Sequence, residues 1–147
     1  MSDSGADKKN RPAIGLAGPM CAGKNRAAEI LEKHGFTVAD ADIIAHEALD
    51  NVQEKIIAAF SDKAGHQGIR LVNENGKIDR RELGKIVFSD PGLLALHESI
   101  IYPEINNLLY KFIQDNSGKK IVINAPFYIN PPYLKSANSS FLLTPTL

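Results

Sequence analysis

The chain has 147 residues, of which 17 are basic and 17 are acidic, and 44% of its residues are hydrophobic. A chain of this length can bury a core of its own without disulfides or a structural metal, and its balanced charge excludes the broad positive field that gathers nucleic acid or anionic membranes. A polyanionic ligand would therefore be held by a local site, and the composition favours a small-molecule partner.

The amino-terminal segment and the single cysteine predict where the protein works. Residues 1–12 are polar, charged and aperiodic, which predicts a disordered leader, and they contain no apolar stretch that could act as a signal peptide. Cys21 has no second cysteine with which to form an internal disulfide. No uninterrupted apolar run approaches the roughly 20 residues of a membrane-spanning helix. We therefore expect a soluble, cytoplasmic protein with no membrane partner.

The first structured segment is predicted to be a strand, a helix and a second strand. Residues 13–17 form a short apolar run, residues 24–34 show helical spacing of apolar side chains, and residues 36–39 are rich in aromatic and β-branched types. Gly35 stands where a helix commonly ends. This βαβ order predicts an α/β fold with a parallel sheet.

The middle of the chain is predicted to be helical and its end to return to strand. We expect a helical lobe over about 43–117, within a single domain of residues 13–147. Pro103 is expected to bend the last helix. The predicted helices cover residues 43–49, 52–60, 81–88 and 93–113, and the predicted later strands cover residues 120–124 and 140–143.

The turn between the first strand and the first helix is the most informative segment. It reads GPMCAGKN over residues 18–25 and matches the phosphate-binding spacing G-x-x-x-x-G-K-[ST] at every position except the last. Such a loop turns its backbone N–H groups towards phosphate, the helix adds its positive end, and Lys24 can reach the outer phosphates of a triphosphate. Asn25 replaces the hydroxyl residue that normally coordinates magnesium, and its amide oxygen is a candidate substitute.

Two plainer interpretations of this segment stay open. A glycine-rich strand-to-helix turn can simply fold the chain, with Lys24 an exposed lysine in the first helical turn. Cys21 lies near a helix amino terminus, where a thiol can be redox-sensitive, but we interpret it as a small loop residue.

An acidic pair follows the second strand. Asp40 and Asp42 lie at the carboxyl end of that strand, the edge of a parallel sheet where ligands bind. In phosphoryl transfer, carboxylates there can position an acceptor hydroxyl, take its proton and help to hold magnesium. The alternative is that Asp42 only caps a helix that starts at Ile43.

With these motifs in order, the sequence resembles the dephospho-coenzyme A kinases, which catalyse the last step of coenzyme A synthesis. The resemblance extends from Ile14 to about Asn130. It rests on the segments IGLAGPMCAGKN, VADADIIAHE, GKIDRRELGKIVFSD, HESIIYPEI and IVINAPFYIN.

The resemblance implies a P-loop NTPase-type three-layer α/β fold with a helical substrate lobe, and it implies roles for single residues. Asp42 matches the presumed catalytic base for the ribose 3′-hydroxyl, Asp40 its acidic neighbour, and Lys24 the catalytic lysine. His46 and Arg80 match positions that could meet a phosphate of dephospho-coenzyme A, and for both a solvated surface or a salt bridge is the alternative. ATP with Mg²⁺ would bind at Gly18, Cys21, Ala22, Gly23, Lys24, Asn25 and Arg26.

The sequence also departs from the family pattern. Tyr102 stands where the family usually has histidine, Asn106 where a basic residue is common, and Asn130 where an acidic residue ends the strand motif. Members of the family continue with an arginine-bearing lid helix that closes over ATP, whereas this chain stops at Leu147. The comparison predicts a C-terminally truncated or frameshifted chain whose carboxyl-terminal part is missing.

Three functions remain open on this basis. The first is phosphorylation of dephospho-coenzyme A by ATP. The second is a truncated, non-catalytic relative that binds nucleotide or coenzyme A, and the third is another small-molecule P-loop kinase. No His, Cys, Asp and Glu cluster has the spacing of a metal site, and the oligomeric state is not predicted.

Overall fold

The computed structural model describes residues 13–18, 24–126 and 140–143, and it has an α/β architecture. Its elements lie close to the predicted ones. In chain order they are β1 (Ala13–Gly18), α1 (Lys24–Lys33), β2 (Phe36–Asp40), α2 (Ala41–Asn51), α3 (Gln53–His66), α4 (Arg80–Val87), α5 (Pro91–Asp115), β3 (Lys120–Pro126) and β4 (Ser140–Leu143). The predicted leader, residues 1–12, lies outside the described residues.

The described strands form a parallel sheet in the order β2-β3-β1-β4. β3 is thus inserted between the two strands of the predicted βαβ unit. In the register, Asn124 of β3 is opposite Leu16 of β1 on one side and Asp40 of β2 on the other. Because all pairs are parallel, the carboxyl ends of β1, β2 and β3 open at the same edge of the sheet. This arrangement confirms the predicted parallel sheet.

The described residues divide into two compact units. One unit combines described residues of 1–44 and 108–147, and the other spans residues 45–107. The second unit overlaps the stretch of about 43–117 for which a helical lobe is predicted. The lobe and the single domain of residues 13–147 stay predictions.

In the first unit, α1 packs on the sheet through its small and apolar side chains. Ala28 and Val122 are buried together, and Ala27, Leu31, Phe36 and Val38 pack against them. Residues 121–125 of β3 are all buried, as expected for a parallel strand covered on both faces. This packing holds α1 against the sheet in the first unit.

Helix α1 ends at a glycine, as the sequence predicts. Gly35 has φ +82°, a left-handed conformation in which a side chain would be strained. Its N–H donates to the carbonyl of Glu32 at 3.0 Å, which closes the last turn. The chain can therefore reverse within two residues and enter β2 at Phe36.

The second unit is built around a helical core. Phe60, Ile56 and Ile86 have no exposed surface. The other buried apolar residues of this unit are Ala48, Leu49, Val52, Ala64, Leu71, Ile78, Leu83, Val87, Ile101 and Ile105. Its helices are joined by polar contacts as well, because Asn51 donates through Nδ2 to Glu104 Oε1 at 2.8 Å, which ties the end of α2 to α5.

A buried histidine belongs to this core. His97 packs edge-on against Phe60, with 6.2 Å between ring centroids. Its Nδ1 is buried and has no hydrogen-bond partner among the described residues. Burial lowers the pKa of His97, against an opposing effect of the neighbouring Glu98 carboxylate. The imidazole is therefore held in its neutral form as part of the core.

The long helix α5 continues through Pro103 as one element from Pro91 to Asp115. Within it, Tyr102 donates its hydroxyl to Glu98 Oε1 at 3.3 Å, and both side chains are partly buried.

No helix in the described part of the chain has both the length and the apolar character required to cross a bilayer.

Candidate functional site

The candidate site is the edge of the sheet where β1, β2 and β3 end, in the first unit. Gly18 ends β1, and α1 begins at Lys24, so the predicted phosphate loop connects the strand end to the helix start. Cys21, Ala22 and Gly23 of that loop lie outside the described residues. Strand, loop and helix thus follow one another in the order that phosphate binding requires.

The start of α1 carries two exposed side chains of the predicted ATP-binding set. Asn25 and Arg26 occupy the first turn of the helix, and both are exposed. Within helices, the first N–H groups have no intrahelical partner, so this end carries partial positive charge. The place is suited to an anion such as phosphate, and the assignment of ATP-contacting residues stays a prediction.

The structure separates the two aspartates of the acidic pair by their contacts. Asp40 Oδ1 accepts hydrogen bonds from the backbone N–H of Asp42 at 2.9 Å and of Ile43 at 3.4 Å. Because α2 begins at Ala41, Asp40 occupies the cap position of the helix. The interpretation of Asp42 as the cap is therefore wrong, since the helix starts two residues earlier than predicted.

Asp42 is exposed in the first turn of α2. Its negative charge is stabilised there by the helix dipole, and its backbone N–H is one of the two that donate to Asp40 Oδ1. A carboxylate in this position is accessible to a ligand at the sheet edge. Its role as base stays a prediction.

Two substitutions at Asp40 separate its role as a helix cap from the effect of its charge. Asp40→Ala removes the cap and is expected to lower the free energy of unfolding by about 0.5–2 kcal/mol. Asp40→Asn keeps a good capping side chain but removes the charge, so its stability should remain near that of the original chain. Urea unfolding followed by circular dichroism measures both variants. Equal destabilisation by the two substitutions would contradict a capping role.

One residue of this edge was not predicted from the sequence. Asn124 is the only buried polar residue in the described part of the chain, with 7% of its surface exposed. Its Nδ2 donates to Asn25 Oδ1 at 3.3 Å, which links β3 to the start of α1. The available signal was a polar residue that follows the apolar run Ile121–Ile123, the same pattern that drew attention to Asp40.

The remaining predicted residues lie in the second unit. His46 is exposed in α2, one turn after Asp42, and Arg80 is exposed at the start of α4. The ion pairs found in the described residues join Lys77 to Asp50 and Lys85 to Glu82. Among the described residues Arg80 has no ion pair, and its role stays a prediction.

Tyr102 and Asn106, two positions at which the chain departs from the family pattern, lie among the described residues. Tyr102 is engaged with Glu98, as described above, and Asn106, one turn later in α5, has a buried Oδ1 without a partner among the described residues. Asn130 lies outside the described residues.

The described residues contain no group of three or more His, Cys, Asp and Glu side chains that could hold a metal ion. Magnesium, however, is commonly held through few protein oxygens and keeps several waters. The carboxamides of Asn25 and Asn124 supply such oxygens, and the Oδ1 of Asn124 is buried without a partner among the described residues. These residues fit a hydrated magnesium ion at the sheet edge.

Comparison with known proteins identifies similar chains. A protein-family model described as dephospho-CoA kinase matches residues 12–143. The dephospho-CoA kinase of Treponema denticola is 36% identical over 126 residues, and that of Treponema pallidum is 35% identical over 118 residues. The alignments cover 83% and 78% of this chain, and this chain spans 56% of the length of each relative.

Solved structures give the same result for the fold. A structure from Thermus thermophilus superposes with a TM-score of 0.77 at 27% identity, covering 92% of this chain and 66% of the other. The dephospho-CoA kinase of Campylobacter jejuni superposes with a TM-score of 0.70 at 27% identity, covering 89% and 64%. The P-loop α/β fold predicted from the sequence is confirmed.

Proposed function

Because the chain belongs to the dephospho-CoA kinase family, we propose that it transfers the γ-phosphoryl group of ATP to the ribose 3′-hydroxyl of dephospho-coenzyme A. This reaction is the last step of coenzyme A synthesis. The observation that carries the proposal is that β1 and β2 end at one edge of a parallel sheet, with the phosphate-loop helix and the Asp42 helix beginning there. Ligands of open parallel sheets bind at this edge.

The residues at the edge have separate tasks in the proposed reaction. Lys24 and the loop N–H groups hold the ATP phosphates, and the start of α1 adds positive potential. Asp42 accepts the proton of the 3′-hydroxyl as that oxygen bonds to the γ-phosphorus. The bond from the γ-phosphorus to the bridging oxygen breaks, and ADP leaves. Asp40 supports Asp42 by capping α2, which fixes the helical turn that carries it.

Magnesium is proposed to bind near the amide oxygen of Asn25. When bound, the ion neutralises charge on the phosphates. Asn25 is exposed and follows Lys24 directly in the first turn of α1. Magnesium keeps several waters and is held by few protein oxygens together with substrate phosphates, so one carboxamide oxygen is enough for this role.

The acceptor is proposed to be recognised through its phosphates by basic side chains. His46 and Arg80 are both exposed and are not engaged in the ion pairs of the described residues. Arginine binds phosphate through two parallel hydrogen bonds, which suits Arg80 for this contact.

The proposed location is the cytoplasm. Cys21 is the only cysteine, so the chain holds no internal disulfide, which fits a reducing compartment. Dephospho-coenzyme A and ATP are small, soluble molecules, and the balanced charge of the chain fits partners of this kind.

A coupled assay of ADP release with ATP and dephospho-coenzyme A tests the proposal. We expect turnover by the original chain and its loss in Lys24→Ala, because the ammonium that holds the outer phosphates is removed. Turnover no higher than that of Lys24→Ala would contradict the proposal. Binding of both ligands without turnover would indicate a binding protein. Phosphorylation of other acceptors in a panel of nucleosides would instead indicate another small-molecule kinase.

A further inference from the structure

An exposed turn of the second unit contains an asparagine that is followed by glycine. Residues 73–77 read NENGK and connect Val72 to Ile78, which form an antiparallel bridge. Asn75 is the only asparagine of the chain that directly precedes a glycine, and both Asn75 and Gly76 are exposed. A Cβ atom at Gly76 would meet no described atom within 4 Å beyond its chain neighbours, so this side of the turn is open.

The carboxamide of Asn75 is not held in place by the turn. It has no hydrogen bond to a described residue, whereas Oδ1 of Asn73 accepts from the backbone N–H groups of Asn75 at 2.9 Å and of Lys77 at 3.1 Å. The exposed Asn75 side chain is therefore able to rotate towards the backbone nitrogen of the next residue. Because that residue is Gly76, no side chain hinders the approach to this nitrogen.

The two groups are the reactants of an intramolecular imide-forming reaction. The Gly76 nitrogen loses its proton to a base from the solvent and bonds to Cγ of Asn75. The Cγ–Nδ2 bond breaks, and the nitrogen leaves as ammonia after taking up a proton. Water then opens the cyclic imide. Cleavage of the bond to Cγ gives aspartate, and cleavage of the bond to the backbone carbonyl carbon gives isoaspartate.

The hydrogen bonds of the turn oppose this attack. The Gly76 N–H donates to the Asn73 carbonyl at 3.1 Å, and the Gly76 carbonyl accepts from Nε2 of Gln53 at 3.1 Å. The Gly76 nitrogen has to leave the Asn73 carbonyl before it is able to lose its proton and reach Cγ. In the folded protein the reaction therefore requires local opening of the turn. The two hydrogen bonds that Asn73 Oδ1 accepts make this opening less frequent.

We propose that Asn75 is a site of spontaneous deamidation in the folded protein, and that the side chain of Asn73 limits the rate. The product carries a new negative charge beside Glu74. Its isoaspartate form also lengthens the main chain of a turn whose ends are paired at Val72 and Ile78. The inference does not depend on the proposed kinase reaction, because the reactants are this chain and water.

Incubation of the full chain at mildly alkaline pH, followed by peptide mapping with mass spectrometry, tests the site. We expect the peptide that contains Asn75 to show the mass change of an amide converted to an acid, and a protein isoaspartate methyltransferase to label it. The peptide with Asn116 is the internal reference and should convert more slowly, because its Nδ2 donates to the Phe112 carbonyl at 2.9 Å and a serine follows it. Asn75→Ser should abolish both signals.

Two substitutions at Asn73 test the control of the rate. Asn73→Ala removes the acceptor of two backbone N–H groups and is expected to speed conversion at Asn75 by about 5–30-fold, the factor that loss of one or two hydrogen bonds produces in an opening equilibrium. Asn73→Asp keeps an acceptor oxygen at this position and should leave the rate near that of the original chain. Circular dichroism checks that both variants are folded. The original chain unfolded in urea at the same pH gives the upper limit of the rate.

Three results would overturn the inference. The first is an unmodified Asn75 in the folded chain after the urea-unfolded chain has converted completely. The second is conversion of Asn116 ahead of Asn75, and the third is an equal rate in folded Asn73→Ala and Asn73→Asp. If Asn73→Ala does not fold, the folded and unfolded original chain are compared instead, and equal rates at Asn75 would show that the turn exerts no control.

Discussion

Asp42→Asn is expected to lower kcat for phosphorylation of dephospho-coenzyme A by about 10²–10⁴-fold, the usual contribution of a general base. The amide cannot accept the proton of the 3′-hydroxyl. The fold should survive, because Asp42 is exposed and the cap of α2 is Asp40. Loss of its interaction with the helix dipole costs about 0.3–1 kcal/mol. Steady-state kinetics and thermal unfolding by circular dichroism measure the two effects separately.

The matched control for this prediction lies in the same helix. Asp50 is also exposed in α2, and its carboxylate pairs with Lys77 at 3.5 Å on the surface. Asp50→Asn removes one negative charge in the same way and costs at most about 1 kcal/mol of stability. We expect its kcat to equal that of the original chain. If Asp42→Asn also kept full activity while Lys24→Ala had none, Asp42 would not be the base.

Local patterns were sufficient to predict most elements. The strand before the loop and the helix from Lys24 follow from the spacing of apolar residues, and both are found where expected. The end of the helix at Gly35 follows from the ability of glycine to adopt a positive φ. The strand at residues 140–143 is also confirmed. These features depend on neighbouring residues, so one sequence contains the information that specifies them.

The long-range arrangement could not be predicted from such patterns. β3 is inserted between β1 and β2 although it follows β2 by about eighty residues, and nothing near Lys120 specifies its neighbours. The contact between Asn25 and Asn124 depends on that insertion, because it brings the middle strand to the start of α1. Helix boundaries caused a smaller error. The shift of the α2 start to Ala41 moved the cap from Asp42 to Asp40.

The core of the second unit provides the other large expected effect. Phe60 has no exposed surface, and its ring contacts His97 of α5. Phe88, which follows α4 in the same unit, is 79% exposed. The two phenylalanines therefore allow an identical substitution at a buried and at an exposed position, in the unit that carries His46 and Arg80.

Phe60→Ala is expected to lower the free energy of unfolding by about 3–5 kcal/mol, because the buried ring is lost and the cavity is only partly filled by relaxation. Phe88→Ala should change it by no more than about 0.5 kcal/mol, since an exposed ring gives up little burial. Urea denaturation followed by circular dichroism measures both. A loss of this size is a large fraction of the stability of a typical domain. Because the Phe60 ring contacts His97, Phe60→Ala should also loosen the packing around His97. Equal losses for the two variants would show that α3 does not depend on Phe60 for its place in the core.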